Sequence, residues 1–351
     1  MTRGELLAWL RTRDPAALEQ LWRRAEAVRR EQVGEDVQLR GLVEVSNHCR
    51  RQCLYCGLRA ANRAVQRYRM TADEVLACAG RARELGCGTL VLQAGEDEAL
   101  PAAWVADLVR RVQAESGLAV TLSLGEREDH ELGLWREAGA ERYLLRFETS
   151  NRHLYDQVHP PLPGRRSDRF AALRRLRAMG YEIGSGVMVG LPGQTWDDLA
   201  EDLEWFRRLD LDMIGVGPFV PHPATPLGRG PRCSGAHQVP ATATLACQVV
   251  ALARLLCPRA NIPATTALEA LAGRRGWELA LTRGANVIMP NVTPRAYRAL
   301  YEIYPGKAGA GETAEVCQVG LETRLAALGR NAGSGRGDAP AHLRRRREEP
   351  R

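Results

Sequence analysis

Three cysteines fall within the stretch "SNHCRRQCLYCGLRAANR": Cys49, Cys53 and Cys56, in C-x3-C-x2-C spacing and beside a cluster of arginines. Free cysteine is often a small buried hydrophobe. That reading suits Cys78, Cys87, Cys247 and Cys257, which sit on or beside apolar helical segments, but not a polar loop containing "CRRQC". Structural zinc takes four ligands, often as paired C-x2-C knuckles, and no second knuckle follows at a usual distance. Three soft thiolates in one short loop suit an iron-sulfur cluster. In a 4Fe-4S cube they hold three irons and leave the fourth open to a substrate or cofactor.

Other residues with chemical potential lie farther along. "LQAGED" places Gly95 and Glu96 just past an apolar run, where a turn glycine and an exposed acid are common. "ERYLLRFETS" sets Arg142, Leu144, Arg146 and Glu148 on one face of an extended segment and Tyr143, Leu145 and Phe147 on the other. If the apolar set faces covering helices, the charged set points inward, as an internal ion pair or as a site gripping an anionic or zwitterionic ligand. "GSGVMVGLPGQT" permits close backbone approach to a ligand, and its Thr195 can cap the helix that follows. Thr265 and Thr266 provide hydroxyls at a strand end. Met289, Tyr301 and Tyr304 suit a mixed polar and apolar cavity or core packing.

These residues need a scaffold. Apolar runs that read as strands occur at 42–45, 89–93, 119–124, 142–147, 182–189, 213–216, 262–266 and 286–289, alternating with amphipathic stretches at 72–85, 102–115, 128–137, 168–179, 196–209, 242–256 and 268–282. Eight such runs in an α/β order predict a parallel (β/α)8 barrel over residues 37–330, with its chemistry at the strand C-termini. The cysteines then occupy the first βα loop. A doubly wound open sheet is the rival, and no dinucleotide fingerprint follows the first strand. Residues 1–36 show helical spacing of Leu6, Trp9 and Leu10, then Leu18, Leu21, Trp22 and Ala25, with "RDP" between the groups, and predict a helical leader.

The 351 residues are 45% hydrophobic, enough for a large core, and carry a formal charge of +7. Much of that excess lies in 331–351 and the arginine before it, where seven arginines face three acids among Gly and Pro. The expectation is a basic, mobile tail rather than a nucleic-acid-binding domain, with an interaction arm as the alternative. The start shows no secretory pattern and no run approaches a membrane span. A cytoplasmic protein with mostly reduced cysteines is expected.

With Tyr55 just before the third cysteine, the spacing resembles the signature of the radical S-adenosylmethionine (SAM) superfamily. The words "RYRMTADEV", "LQAGED", "RYLLRFETSN", "GVMVGLPGQT", "GPFVPHPATPLG", "IPATTAL" and "GANVIMPNVTP" narrow the resemblance to the HydE family of iron-iron hydrogenase maturases, from about residue 44 to 337. The resemblance implies a complete radical SAM α/β barrel around an internal cavity, and a 4Fe-4S cluster on Cys49, Cys53 and Cys56 whose open iron takes SAM. Tyr55, Gly95, Glu96, Glu148 and Arg169 are implied near SAM, although Ala94 replaces the first glycine of the family's Gly-Gly-Glu-like element. Arg142, Arg146, Thr265, Thr266, Met289, Tyr301 and Tyr304 are implied around the substrate. The implied activity cleaves SAM to a 5'-deoxyadenosyl radical and processes an iron-carbonyl-cyanide cysteine complex during assembly of the diiron subcluster. Implied partners are companion maturases and a reducing electron donor. Some members carry a second cluster on three C-terminal cysteines; only Cys317 stands here, so one cluster is expected. The alternatives are a methylornithine-synthase-type mutase, a sulfur-inserting enzyme or a non-catalytic iron-sulfur scaffold.

Overall fold

The computed structural model describes residues 1–230, 235, 237–307 and 314–348. Seven strands form one sheet: β1 Gln38–Ser46, β2 Thr89–Ala94, β3 Ala119–Ser123, β4 Arg142–Leu144, β5 Glu182–Val189, β6 Met213–Pro218 and β7 Val287–Ile288. Their order is β6-β5-β4-β3-β2-β1-β7, and every neighbouring pair is parallel. The expected eighth strand at 262–266 is in place but is not regular. Asn261 accepts from the Ile214 N–H at 2.9 Å on one side, and the Ala264 N–H donates to Val287 at 2.9 Å on the other. These bonds join β6 to β7 and close the ring. Pro263 has no N–H to extend that ladder, and Thr265 instead precedes the helix Thr266–Ala272.

Side-chain alternation explains the two layers. Along β1, Leu39, Val43 and Val45 join the apolar layer under the helices, whereas Arg40 and Leu42 face the interior. Helices such as Ala72–Glu84 and Trp196–Arg208 begin with capping boxes at Thr71 and Thr195, which fix where each strand-to-helix loop ends. The leader forms two helices, α1 Arg3–Arg11 and α2 Pro15–Val33, with Asp14 capping the second. They pack on Trp196–Arg208 and Ala243–Leu256, covering part of the outer helical layer.

The tail expected over 331–351 differs most from its sequence reading. From 331 to 348 it is built onto the barrel at the N-terminal ends of the strands. Ala332 bridges Val37, the Gly337 carbonyl accepts from Arg40 and Asn261 at 2.9 Å each, and Asp338 pairs with Arg142. The helix Pro340–Glu348 follows, and its Arg345 meets Asp210 and Asp212. Burying Arg40 and Arg142 demands acceptors, and this strap supplies them. No helix among the described residues is long and apolar enough to cross a membrane.

Candidate active site

At the C-terminal ends of the strands the interior opens into a cavity of about 360 Å³. β1 delivers the cysteine loop to its rim, and Cys49, Cys53 and Cys56 all line it. Two glycines permit the close packing there. A Cβ at Gly95 would lie 2.1 Å from the His48 carbonyl, and one at Gly57 would lie 2.2 Å from the Glu302 carbonyl. Neither position tolerates a side chain without movement.

The three thiols fit the inferred cluster. Burial, then neighbouring Cys49, pushes Cys53 up to about 12; burial likewise raises Cys49, and burial with Cys53 and Cys49 raises Cys56. Each thiol therefore keeps its proton until a metal replaces it. Among the described residues no three His, Cys, Asp or Glu side chains converge on a single ion. The Glu96 N–H donates to Cys49 Sγ at 3.4 Å, so β2's end is already tied to the loop.

Behind the cysteines lies a buried charge network. Arg51 Nε donates to Glu96 Oε1 at 2.7 Å, and Arg50 Nε reaches the same oxygen at 3.1 Å. Glu126, just past β3, stands 3.1 Å from Arg51 and accepts from Arg169 Nε at 3.0 Å. Burial raises the Glu126 carboxyl, but Arg169 and Arg51 outweigh it and hold it below the usual range. Arg169 also donates to the Arg146 carbonyl and contacts His159 Nε2 at 2.9 Å. Burial together with Arg169 and Arg51 pushes His159 down to about 2, so the ring is neutral and Nε2 can accept.

Arg146 and Glu148 form the next layer. Arg146 Nε donates to both Glu148 oxygens at 3.1 Å, and its Nη2 donates to the Val187 carbonyl at 2.7 Å. Glu148 has φ +62°, and the Thr149 N–H closes a three-residue turn on Phe147 at 2.7 Å. A glutamate in the left-handed region is strained, and such positions gather at functional sites. β4 ends as a regular strand at Leu144 rather than at 147, although Leu145 and Glu148 still donate to Gly184 and Gly186 of β5.

Thr265 Oγ1 donates to the Val216 carbonyl at 2.8 Å, Thr266 shares a 2.5 Å bond with the Tyr304 hydroxyl, and Gln93 donates to the Tyr301 hydroxyl at 3.3 Å. With Met289 they line the same cavity as Tyr55, Gly95, Glu96, Glu148 and Arg169. Arg142 does not. Fully buried at the barrel floor, it donates to Glu182 at 2.9 Å and Thr89 at 2.8 Å and meets Asp338. It is the internal ion pair of the two readings. The structure adds Arg51, Glu126, His159 and Lys307 to the lining or its supports. Arg51 was visible inside "CRRQC"; Glu126 stood at a strand end on the chemical face, a position the barrel rule marks. Lys307 pairs with the fully buried Glu44. The Cys317 side chain lies outside the described residues.

The Radical SAM superfamily model matches residues 43–206. An [FeFe] hydrogenase maturase subunit HydE from Thermotoga maritima is 44% identical over 332 residues, covering 95% of this chain and 92% of that protein. The chain belongs to the HydE family of radical SAM enzymes. A 3-methylornithine synthase of Methanosarcina acetivorans is 29% identical over 289 residues, with 81% and 77% of the two chains covered. A solved methylornithine synthase structure superimposes with a TM-score of 0.76 at 26% identity, covering 95% of this chain and 94% of that one. This places the fold among radical SAM barrels. Family membership implies a 4Fe-4S cluster and SAM, and the cysteine loop of this HydE-family chain has the donor set for the cluster.

Proposed function

We propose that this protein is a radical SAM maturase acting in the cytoplasm during assembly of iron-iron hydrogenase, and that its substrate is an iron-carbonyl-cyanide cysteine complex made by a companion maturase. The observation that carries this reading is the composition of one cavity. Three cysteines lie at one end, and Arg146, Thr265, Thr266, Met289, Tyr301 and Tyr304 line its wall. An anionic metal complex bearing an amino acid asks for such cationic and hydroxyl donors. The relative named a HydE maturase adds support.

Cys49, Cys53 and Cys56 would hold the cluster, and with SAM and an electron from a reducing partner it supplies a 5'-deoxyadenosyl radical. Glu96, Glu148 and Arg169, with Tyr55 and Gly95, are assigned to orient SAM. Arg50 and Arg51 both donate to Glu96 Oε1 and fix the direction of its carboxylate. Arg146 is assigned to grip the substrate, with Glu148 fixing its direction. Thr265 and Thr266 offer hydroxyls, and Tyr304 sets the rotamer of Thr266 through their shared bond.

The test is electron paramagnetic resonance of the anaerobically reconstituted, reduced protein with and without SAM, followed by SAM cleavage with each substrate. A 4Fe-4S signal shifted by SAM, with cleavage stimulated by the iron complex, is expected. Turnover of lysine with no iron complex present would move the assignment to a mutase, the reading that the likeness to methylornithine synthase supports. A sound cluster indifferent to SAM would leave only a scaffold.

A further inference from the structure

The motif "RYRM" begins with Arg67, a half-buried residue whose side chain bonds to the cysteine loop. Its Nη1 donates to the Asn47 carbonyl at 2.5 Å and to Leu58 at 2.9 Å; its Nη2 donates to Arg59 at 3.0 Å and to Asn62 at 3.3 Å. Asn47 stands two residues before Cys49, and Leu58 two after Cys56. One planar fork thus ties the entry of the three-cysteine segment to its exit. Asn47 braces the fork, since its Oδ1 accepts from the Tyr68 N–H at 2.8 Å, and Arg69 is bridged to Ser46.

The charge of Arg67 is as informative as its bonds. Nearby Arg50, Arg51 and Arg69 each meet a carboxylate. Arg67 meets none among the described residues: its four acceptors are all backbone carbonyls. Its bonds to the Asn47 and Leu58 carbonyls set the guanidinium two residues from Cys49 and two from Cys56; burial lowers its pKa, and the two cysteines act in the opposite direction. A partly buried cation without a counter-ion is costly unless negative charge is expected nearby. Thiolates in a metal site provide such charge, and groups behind the ligands set both ligand orientation and potential.

We infer that Arg67 is a positioning residue for the cluster: it clasps the cysteine loop into the geometry of three metal ligands, and its uncompensated charge favours the reduced cluster. The inference rests on the cluster reading of these cysteines. A lysine at 67 would keep the charge without the planar fork, and a glutamine would lose the charge and most of the bonds.

The test uses the full chain, anaerobically reconstituted, as wild type, Arg67→Gln and Arg67→Lys. Cluster release to an iron chelator and the midpoint potential from an EPR-monitored redox titration are measured, with circular dichroism to confirm folding. Arg67→Gln should release iron severalfold faster and have a lower midpoint; Arg67→Lys should also release faster but keep a midpoint near wild type. A folded Arg67→Gln chain that takes up no cluster would support the clasp, and the Arg67→Lys midpoint would then decide the charge. Release and midpoint in Arg67→Gln equal to wild type would overturn the inference. If wild type itself takes up no cluster, the cluster reading fails first, and this inference falls with it.

Discussion

Glu126→Gln is the substitution for which the structure supports a worked magnitude. The carboxylate is 8% exposed and lies between two buried guanidiniums, Arg51 at 3.1 Å and Arg169 at 3.0 Å. Breaking a buried ion pair by removing one partner costs about 3–5 kcal/mol, because the remaining charge is left uncompensated. Here Arg51 keeps Glu96 at 2.7 Å, and Arg169 keeps the Arg146 carbonyl and His159. The lower end therefore applies: about 3 kcal/mol at pH 7, roughly a hundredfold in the folding constant. The pH dependence gives an independent check. In the folded chain the Glu126 carboxyl is lowered from its ordinary 4.5, despite burial, by Arg169 and Arg51. A depressed carboxyl contributes stability that is fully present above 4.5 and is lost as pH falls through its folded value. Urea midpoints of wild type and Glu126→Gln should thus stay apart near neutrality and converge as acid protonates the native carboxylate. A gap below about 1 kcal/mol at pH 7, the range of exposed pairs, would refute the buried-pair argument. So would a gap unchanged in acid.

Cys53→Ala should abolish the SAM-responsive EPR signal and reduce bound iron to background while the far-ultraviolet circular dichroism of the barrel persists; undiminished SAM cleavage in that variant would be incompatible with the cluster assignment. A chain ending at residue 330 should lose at least several kcal/mol, since Arg142 forfeits Asp338 and Arg40 forfeits the Gly337 carbonyl, both buried; a urea midpoint equal to wild type would show that the strap is not structural. After loosely bound iron is removed, reconstituted wild type should hold about four irons per chain, as one 4Fe-4S cube requires; a count near eight would reveal a second cluster.

The limits of sequence reading follow from what periodicity encodes. Alternation along 142–147 placed Arg142 and Arg146 on one inward face, but a face is not a depth. At about 3.3 Å per residue, two inward side chains four positions apart on a strand stand about 13 Å apart along it. One therefore joins the cavity and the other the floor, where Glu182 and Asp338 take it up. The span 182–189 was legible to its ends because a buried strand is a continuous apolar and glycine run. The segment 262–266 was legible in place but not in regularity, since one proline interrupts the ladder. The cysteine spacing survived translation into structure because all its members lie on one short loop. Glu126 and His159 are joined to Arg51 and Arg169 only by the packing of loops that follow different strands, and no local pattern marks such a junction. The strap at 331–339 shows the converse error. Low apolar content was read as solvation, yet a segment can be held by offering carbonyls and one carboxylate to arginines buried elsewhere. The demand for those acceptors is written some 190 to 300 residues upstream, at Arg142 and Arg40. The composition of the strap alone could not reveal it.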